Sequence, residues 1–352
     1  METVTWIPLL TLLILCFMAR EFLPRIDAEM VNCLDSDKEA LMDFKTDLHD
    51  PENRLSSWKG SNCCQWQGIS CNNTTGAVIA VDLHNPHGSS SRHDFWSLSG
   101  EIRPSLTKLK SLRHLDLSFS TFNDNLIPEF FGYLKDLQYL NLSNAGFSGA
   151  LPPNLGNLSS LQYLDIESLD LLVHNLEWVT GLVSLRHLIM NEVNLSMVGS
   201  NWIRTLNKLP FLTELHLSFC SLSGSIPPLT FVNITSLVVL DLSLNTFNSK
   251  IPDWPVNISS DVTLDISNSD LFGRIPLGFG ELPNLQFLNL AENDNIRGSC
   301  NKLLMGRWEK IEVVNLFSNK LHGELPSSIG NSISERIILR EGFQDPLANF
   351  AT

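Results

Sequence analysis

The sequence predicts an α/β fold: a right-handed solenoid of about ten parallel strands, joined by loops and short helical turns, with a disulfide-bonded N-terminal cap. Three observations support this prediction. An apolar triplet of the form LxxLxL recurs along the chain, a Gly and Pro pattern follows most triplets, and four cysteines cluster ahead of the repeats, at Cys33, Cys63, Cys64 and Cys71. Because stacked repeats form one elongated body, the 352 residues need not divide into several globular domains.

The apolar triplets recur at a nearly constant interval. The steps between their last residues are 25, 24, 24, 27, 25, 24, 24 and 26 residues, at Leu117, Leu142, Ile166, Met190, Leu217, Leu242, Ile266, Leu290 and Leu316. Successive side chains of a strand point to opposite faces, so each unit has an apolar side that only its neighbours can bury. We expect one parallel sheet, from a degenerate first copy at Val78 to Leu83 to a further strand starting at Ile337.

The second half of each unit is expected to be an irregular return path. An inward Phe147 is followed by Gly149 and Pro152, and Pro lacks the N–H that a central strand needs. Each unit has one position between the strand and the return path, which we call the slot, where an inward Asn side chain could form hydrogen bonds with the backbone of the turn. That slot holds Asn only at Asn245, Asn293 and Asn319, and otherwise Ser120, Ala145, Leu169, Val193, Cys220 and Ser269. Units without Asn should use other partners or buried water.

Three segments depart from the pattern. Asp261 stands where a core leucine is expected, and a local shift of the strand should keep this carboxylate from being buried alone. The Ser-rich and His-rich insertion from His84 to Trp96 is expected to be a flexible loop, and the unit from Asp170 to Gly181 lacks the GxIP pattern.

The N-terminus and the cysteines indicate export. The apolar run Leu9 to Met18 is too short to cross a bilayer and is typical of a signal peptide, with cleavage after Ala28 favoured over cleavage after Ala19. The four clustered cysteines should pair in an oxidising compartment. Adjacent Cys63 and Cys64 do not easily bond to each other, which leaves two pairings open. The spacing lacks a CxxC pair and disfavours zinc. No later stretch has the apolar length of a membrane-spanning helix.

Composition and motifs argue against several functions. The net charge is −14, from 24 basic and 38 acidic residues, which disfavours binding to nucleic acid or to an anionic membrane and favours a cationic partner. We find no Walker A loop, HExxH, GxSxG or kinase signature, so the protein is predicted to be non-catalytic, without a cofactor or metal. Cys220 is expected to be a small buried hydrophobe and Cys300 a free thiol.

The outward positions of the strands form the predicted binding surface. The ligand-binding candidates are His114, Tyr139, Tyr163, Glu167, His187, Glu192 and Glu214. Further acidic positions, including Asp116 and Asp165, are expected to be exposed on the same face, although Asp between two leucines is also an ordinary solvated residue. Asn-x-Ser/Thr motifs predict glycosylation at Asn72, Asn73, Asn141, Asn157, Asn194, Asn233 and Asn257.

Several phrases resemble plant extracellular leucine-rich repeats: LSNAGFSGALP (Leu142 to Pro152), CSLSGSIP (Cys220 to Pro227) and NKLHGELPSSIG (Asn319 to Gly330). The segment Ala40 to Cys71, with Trp58 and Trp66, is similar to the N-terminal cap of that family. The resemblance implies pairing of Cys33 with Cys63 and of Cys64 with Cys71, and a second small sheet beside the GxIP segments. It divides the chain into signal peptide (1–28), cap (29–75), repeats (76–332) and a divergent tail without a recognisable C-terminal cap (333–352).

The phrases NLEWVTGLVSLRHL and NKLPFLTELHLS resemble plant receptor-like proteins of the elicitor and disease-resistance type. This resemblance implies a truncated ectodomain that binds a protein or peptide in defence or developmental signalling. It also implies a plasma-membrane location and a membrane co-receptor kinase as partner. The alternative is a complete secreted inhibitor similar to polygalacturonase-inhibiting proteins. The phrases favour the receptor and the chain length favours the inhibitor.

Overall fold

The computed structural model describes residues 31–88, 93–123, 125–258, 260, 262–304 and 308–322, together with the backbone of 337–338. The predicted signal peptide at 1–28, Asp261 and most of the tail at 333–352 lie outside the described residues. The same holds for the side chain of Cys300.

A twelve-stranded sheet runs the length of the described chain. Its first strand, Ile69–Cys71, belongs to the cap and pairs antiparallel with Val78–Asp82. The others follow in parallel: His114–Asp116, Tyr139–Asn141, Tyr163–Asp165, His187–Ile189, Glu214–His216, Val239–Asp241, Thr263–Asp265, Phe287–Asn289, Val313–Asn315 and Ile337–Ile338. This confirms the predicted solenoid and the further strand starting at Ile337.

The triplet residues form one continuous apolar core. Leu115, Leu140 and Leu164 are fully buried and are register partners on consecutive strands. Each strand therefore presents the same inward face as its neighbours. Burying a leucine side chain stabilises a fold by about 1.5–3 kcal/mol, and only stacking provides that burial here.

The return path consists mostly of short 3-10 helices, at Pro104–Lys108, Glu129–Tyr133, Pro153–Asn157, Glu177–Gly181, Trp254–Asn257 and Leu277–Glu281. Short α-helices occur at Trp202–Leu206 and Cys300–Leu304. Neighbouring turns approach closely: a Cβ on Gly156 would collide with the carbonyl oxygen of Trp178, and one on Gly181 with that of Gly156. Glycine is needed at both positions for the repeats to stack.

Two smaller parallel sheets lie between strand and return path, as the resemblance implied. One has four strands, Ser249–Lys250, Leu271–Arg274, Asn295–Ser299 and Lys320–His322. The other joins Gly149–Ala150 to Leu171–Leu172. Gly149 has a φ of 76°, a left-handed conformation that favours glycine and explains the Gly of the pattern at this turn.

The cap covers the first strand with a helix, Asp35–Thr46, and two 3-10 turns, Arg54–Ser57 and Cys63–Gln65. A short antiparallel pair, Leu48–His49 with Ser99–Gly100, ties it to the first repeat. Disulfides join Cys33 to Cys63 and Cys64 to Cys71, as the resemblance implied.

Three buried residues, Trp58, Trp66 and Asp37, hold the cap together. The ring of Trp58 stacks on Trp66 with centroids 5.5 Å apart. Asp37 is buried, and its Oδ2 accepts a hydrogen bond of 2.9 Å from the backbone N–H of Val78. This bond fixes the position of the cap on the first repeat strand.

One slot assignment is wrong. Leu169 is 63% exposed, and Ser168 takes the inward place, where its Oγ donates to the carbonyl oxygen of Phe147 at 3.4 Å. At the equivalent turns Asn144 and Glu192 have positive φ, whereas Ser168 does not. The chain therefore turns one residue earlier, and Leu169 points outward.

The two ends of the insertion from His84 to Trp96 contact the cap. Its end forms a helical turn, His93–Trp96. The guanidinium of Arg54 donates to the carbonyl oxygens of Leu83, His84 and Trp96 at 3.0, 2.6 and 2.7 Å. These bonds hold both ends of the insertion, while residues 89–92 and the side chains of residues 93 and 94 lie outside the described part.

Candidate functional site

The outward side chains of the long sheet form a surface that we call the strand face. Parallel register places His114, Tyr139, Tyr163, His187 and Glu214 in one row across five consecutive strands. Five of the seven predicted ligand-binding residues thus lie side by side. We call the first four the aromatic ladder.

The rings of the aromatic ladder stack on one another. His114 and Tyr139 have centroids 4.2 Å apart and an interplanar angle of 11°, and Tyr139 and Tyr163 follow at 4.4 Å and 9°. Tyr163 and His187 are 5.6 Å apart and tilted by 41°. Strand spacing of about 4.8 Å brings rings at equivalent positions into this contact. Each stacked pair adds about 0.5–1.5 kcal/mol beyond area burial, so the ladder is a preformed rigid surface.

A carboxylate closes the ladder at one end. The Nδ1 of His187 lies 3.1 Å from Oε2 of Glu214, and the Nε2 of His216 lies 3.9 Å from the same oxygen. The Nδ1 of His187 is buried and has no hydrogen-bond partner, so its contact with Glu214 is a short distance without hydrogen-bond geometry. Attraction between these groups therefore depends on protonation of the imidazole.

A second, polar row runs beside the ladder through Asp116, Asn141 and Asp165. The hydroxyl of Tyr139 donates to Asp116 Oδ2 at 3.3 Å, and that of Tyr163 donates to Asp165 Oδ2 at 3.4 Å. Both carboxylates are buried, with exposures of 7% and 9%, so the expectation that they are exposed is wrong. The tyrosine side chains reach over them and exclude water.

Burial changes the acid–base properties of this row. Loss of solvent raises the pKa of Asp165 to about 6, assisted by the nearby charge of Glu167 and opposed by the backbone hydrogen bond from Glu167. Burial and the Asp165 charge raise the pKa of Tyr163, and burial and Asp116 raise that of Tyr139. Both phenols therefore stay neutral hydrogen-bond donors, while Asp165 gains a proton under mildly acidic conditions.

The remaining predicted acids lie at the strand ends. The carboxylate of Glu167 accepts from the Nδ2 atoms of Asn144 and Asn191 at 3.0 and 3.1 Å, so it is held in place. Glu192 sits in the next turn with a φ of 67°. Neither belongs to the ladder row, and they form its border on one side.

Cys220 and one acidic cluster are the other groups with possible chemistry that we consider among the described residues. The thiol of Cys220 is fully buried, as predicted, and burial raises its pKa, which makes it a poor nucleophile. Asp82, His84 and Asp116 bring ligand atoms within 4.8 Å of one another. Asp82 and His84 already pair, and Asp116 accepts from the hydroxyl of Ser118 at 2.7 Å. This cluster alone does not indicate a metal site.

The predicted glycosylation sites lie mostly away from the strand face. Asn141 is the exception, since it lies half-buried in the polar row. Among the others, Asn73, Asn157, Asn194 and Asn257 are exposed, and Asn72 and Asn233 are half-buried. Their modification stays a prediction. Within the described residues, no helix combines the length and the apolar character needed to cross a bilayer.

Comparisons with known proteins agree with this architecture. The leucine rich repeat N-terminal domain family matches residues 34–72, and the Leucine Rich Repeat family matches 136–158 and 211–231. The receptor-like protein EIX1 of Solanum lycopersicum is 39% identical over 278 residues, covering 76% of this chain and 27% of its own. The receptor-like protein Cf-9 of Solanum pimpinellifolium is 33% identical over 240 residues, covering 66% and 26%. The chain thus spans about a quarter of the length of these curated relatives.

Solved structures show the same fold. The ectodomain of the Arabidopsis receptor kinase HAESA, in complex with an N-terminally extended IDA peptide hormone ligand, aligns with a TM-score of 0.68 and 26% identity, covering 88% of this chain and 53% of that one. A plant ice-binding protein aligns with a TM-score of 0.63 over 84% of this chain and 90% of its own. At 23% identity the latter likeness concerns the fold alone.

Proposed function

We propose that this leucine-rich-repeat protein, which is similar to plant receptor-like proteins, is a non-catalytic recognition module at the plant cell surface. Its ligand is a protein or an extended peptide, bound across the strand face. The observation that carries this proposal is the aromatic ladder, a row of three stacked rings and one tilted ring on four strands that ends at a carboxylate. Aromatic side chains provide a large contact area at a low entropic cost, as binding hot spots require.

The charge of the surface favours a cationic ligand. Glu167, Glu192 and Glu214 border the ladder, and the whole chain carries a net charge of −14. An acidic surface attracts basic partners over long range and raises association rates. We therefore expect Lys or Arg residues in the bound segment.

The comparisons support a role in signalling. The HAESA ectodomain has been solved with a peptide hormone and with the co-receptor SERK1, and the similar curated proteins are receptor-like proteins. We infer that this chain presents its ligand for defence or developmental signalling together with a membrane co-receptor kinase.

A display library of random peptides tests the proposal. We expect selected peptides to be rich in Arg and Lys, and to lose affinity by about tenfold or more for the Tyr139→Ala/Tyr163→Ala variant, since each stacked anchor contributes about 1–2 kcal/mol. The matched control replaces two exposed aromatic residues elsewhere, Tyr133→Ala/Phe231→Ala. Equal binding by the ladder variant, or an equal loss in the control, would contradict the proposal.

A further inference from the structure

The row of the aromatic ladder continues beyond His114 with two small residues. Ala80 is the register partner of His114, and Ser70 is the partner of Ala80. Ala80 is half-buried and Ser70 exposed. The row of large rings therefore ends at His114. Next to His114 lies a shallow surface formed by the small side chains of Ala80 and Ser70, which we call the shelf. The two strands below the shelf span about 10 Å, and a planar group is about 3.5 Å thick.

The free face of the His114 ring borders this shelf. The imidazole is nearly parallel to the ring of Tyr139, at 11°, so its opposite face is directed along the row above Ala80. In the part of the chain that the structure describes, Tyr139 is the one ring that His114 contacts. A planar group of a ligand could therefore lie on His114 and extend the stack by one member.

An accessible carboxylate lies next to the same shelf. Asp82 follows Ala80 by two residues, so its side chain is on the same face, and 42% of that side chain is exposed. Its register partner Asp116 is buried and already accepts bonds from Ser118 and Tyr139. His84 contacts one oxygen of Asp82, Oδ1. The other oxygen of Asp82 is thus the acceptor that this end of the row offers to a ligand.

We propose that the shelf is a subsite for an arginine side chain of the bound peptide, with the guanidinium stacked on His114 and hydrogen-bonded to Asp82. This inference rests on the function proposed above and assigns one position of the ligand. A guanidinium is planar and cationic, so it satisfies the ring face and the carboxylate together. A lysine ammonium is a point charge that cannot stack, and an apolar ring would offer no donor to the second oxygen of Asp82.

The test uses the 352-residue chain and three short peptides, acetyl-Gly-Arg-Gly-amide and its citrulline and lysine analogues. Saturation-transfer NMR at pH 7.5 detects weak binding from the peptide protons. We expect saturable binding of the arginine peptide, with affinity about tenfold above that of citrulline, which has nearly the same shape but no charge. Equal affinities for arginine and citrulline, or no saturable binding, would overturn the subsite.

Two variants locate the binding. Ala80→Phe fills the shelf by continuing the ring stack, and Asp82→Asn removes the charge. Each should weaken the arginine peptide by about tenfold, and Asp82→Asn keeps the test valid if Ala80→Phe does not fold. The matched control is Ala150→Phe, an exposed alanine on a short strand of a small sheet. A loss in this control as large as that in Ala80→Phe would overturn the assignment.

The library peptides separate this inference from the proposed function. Peptides that lose affinity with Tyr139→Ala/Tyr163→Ala but bind Ala80→Phe normally would refute the arginine subsite and leave the binding face intact. Peptides insensitive to all of these substitutions would refute both proposals. Loss of affinity with Ala80→Phe and with Asp82→Asn, for arginine-containing peptides alone, is the expected result.

Discussion

Replacing Asn245 by Ala should lower the free energy of unfolding by about 2–5 kcal/mol. This side chain is buried, and its Oδ1 accepts from the backbone N–H groups of Cys220 and Leu222 at 3.2 and 3.0 Å. Its Nδ2 donates to the carbonyl oxygens of Leu217, Leu242 and Ser243 at 2.8, 2.9 and 3.0 Å. An alanine would leave two buried donors without partners, and each such group costs about 1–3 kcal/mol. Water that enters the vacated volume would reduce the loss.

Ser269 provides the matched control because it occupies the same slot and is also buried. Its Oγ donates to the carbonyl oxygens of Leu242 and Ser267 at 3.0 and 2.9 Å and satisfies no backbone N–H. Ser269→Ala should therefore cost only about 1 kcal/mol.

Urea unfolding measures both variants, and hydrogen exchange localises the effect. In Asn245→Ala the amides of Cys220 and Leu222 should lose protection more than amides of distant repeats, because their acceptor is gone. A cost no greater than that of Ser269→Ala, with those two amides still protected, would refute the reasoning.

Three further outcomes are expected. Replacing Cys33 and Cys63 by Ser should lower the free energy of unfolding by about 3–4 kcal/mol, and replacing Cys64 and Cys71 should lower it by about 2–3 kcal/mol. The difference arises because the first bridge closes a separation of 30 residues and the second a separation of 7. Equal losses of stability in calorimetry would contradict loop entropy as the cause. Because the folded state raises the pKa of Asp165 to about 6, it binds this proton more tightly than the unfolded chain, so its contribution to stability falls as pH rises from about 4 to 6. Asp165→Asn should therefore stabilise the protein at pH 7 by up to about 3 kcal/mol and have little effect near pH 4. Urea titrations that gave the same change in stability at both pH values would reject burial of the charge as the cause. Asp241→Asn, in the same row, is the control. Arg297→Gln should raise the melting temperature at low salt and have no such effect at about 1 M salt. The reason is that Arg297 is the register partner of Arg274 on the four-stranded sheet, so the two positive charges repel each other. A change that does not depend on salt would show that charge repulsion is not the cause.

The sequence was sufficient to place the strands and their register. In an LxL triplet the two leucines must face inward, and a repeat length that varies by only a few residues leaves one way to align consecutive units. The candidate surface followed from the same logic, since the residues on either side of the first leucine of LxL must face away from the core, and the ladder residues are the ones just before it. Five of the seven named residues accordingly share one row.

What the sequence could not show depends on contacts between strands. The burial of Asp116 and Asp165 results from tyrosines on the neighbouring position of the same or the next strand, and spacing along the chain does not reveal this cover. Ser168 faces inward in place of Leu169 because of one backbone φ angle, and neither residue type predicts that angle from the sequence. A Tyr two positions before a polar residue on adjacent strands, Tyr139 before Asn141 and Tyr163 before Asp165, would have been the usable sign of the polar row.

The asparagine slot also explains how repeats with other residues survive. Asn245 bonds into the preceding repeat through Cys220 and Leu222, and Asn293 does the same for Ser269 and Leu271. Cys220 itself contacts the carbonyl oxygen of Met190 through its sulfur at 3.0 Å. In the units with Cys220 and Ser269, the asparagine of the neighbour on the C-terminal side thus accepts the bonds of the turn amides.

This direction of bonding sets a rule for gene shuffling and protein engineering. If a gene segment is cut at the repeat boundaries that the triplets suggest, the unit with Cys220 is separated from Asn245, whose side-chain amide accepts the hydrogen bonds of its turn. A transplanted unit of this kind should fold only with its downstream neighbour, so the smallest exchangeable module here is a pair. Deletion of the unit that carries Asn245 should leave the amides of Cys220 and Leu222 without their acceptor.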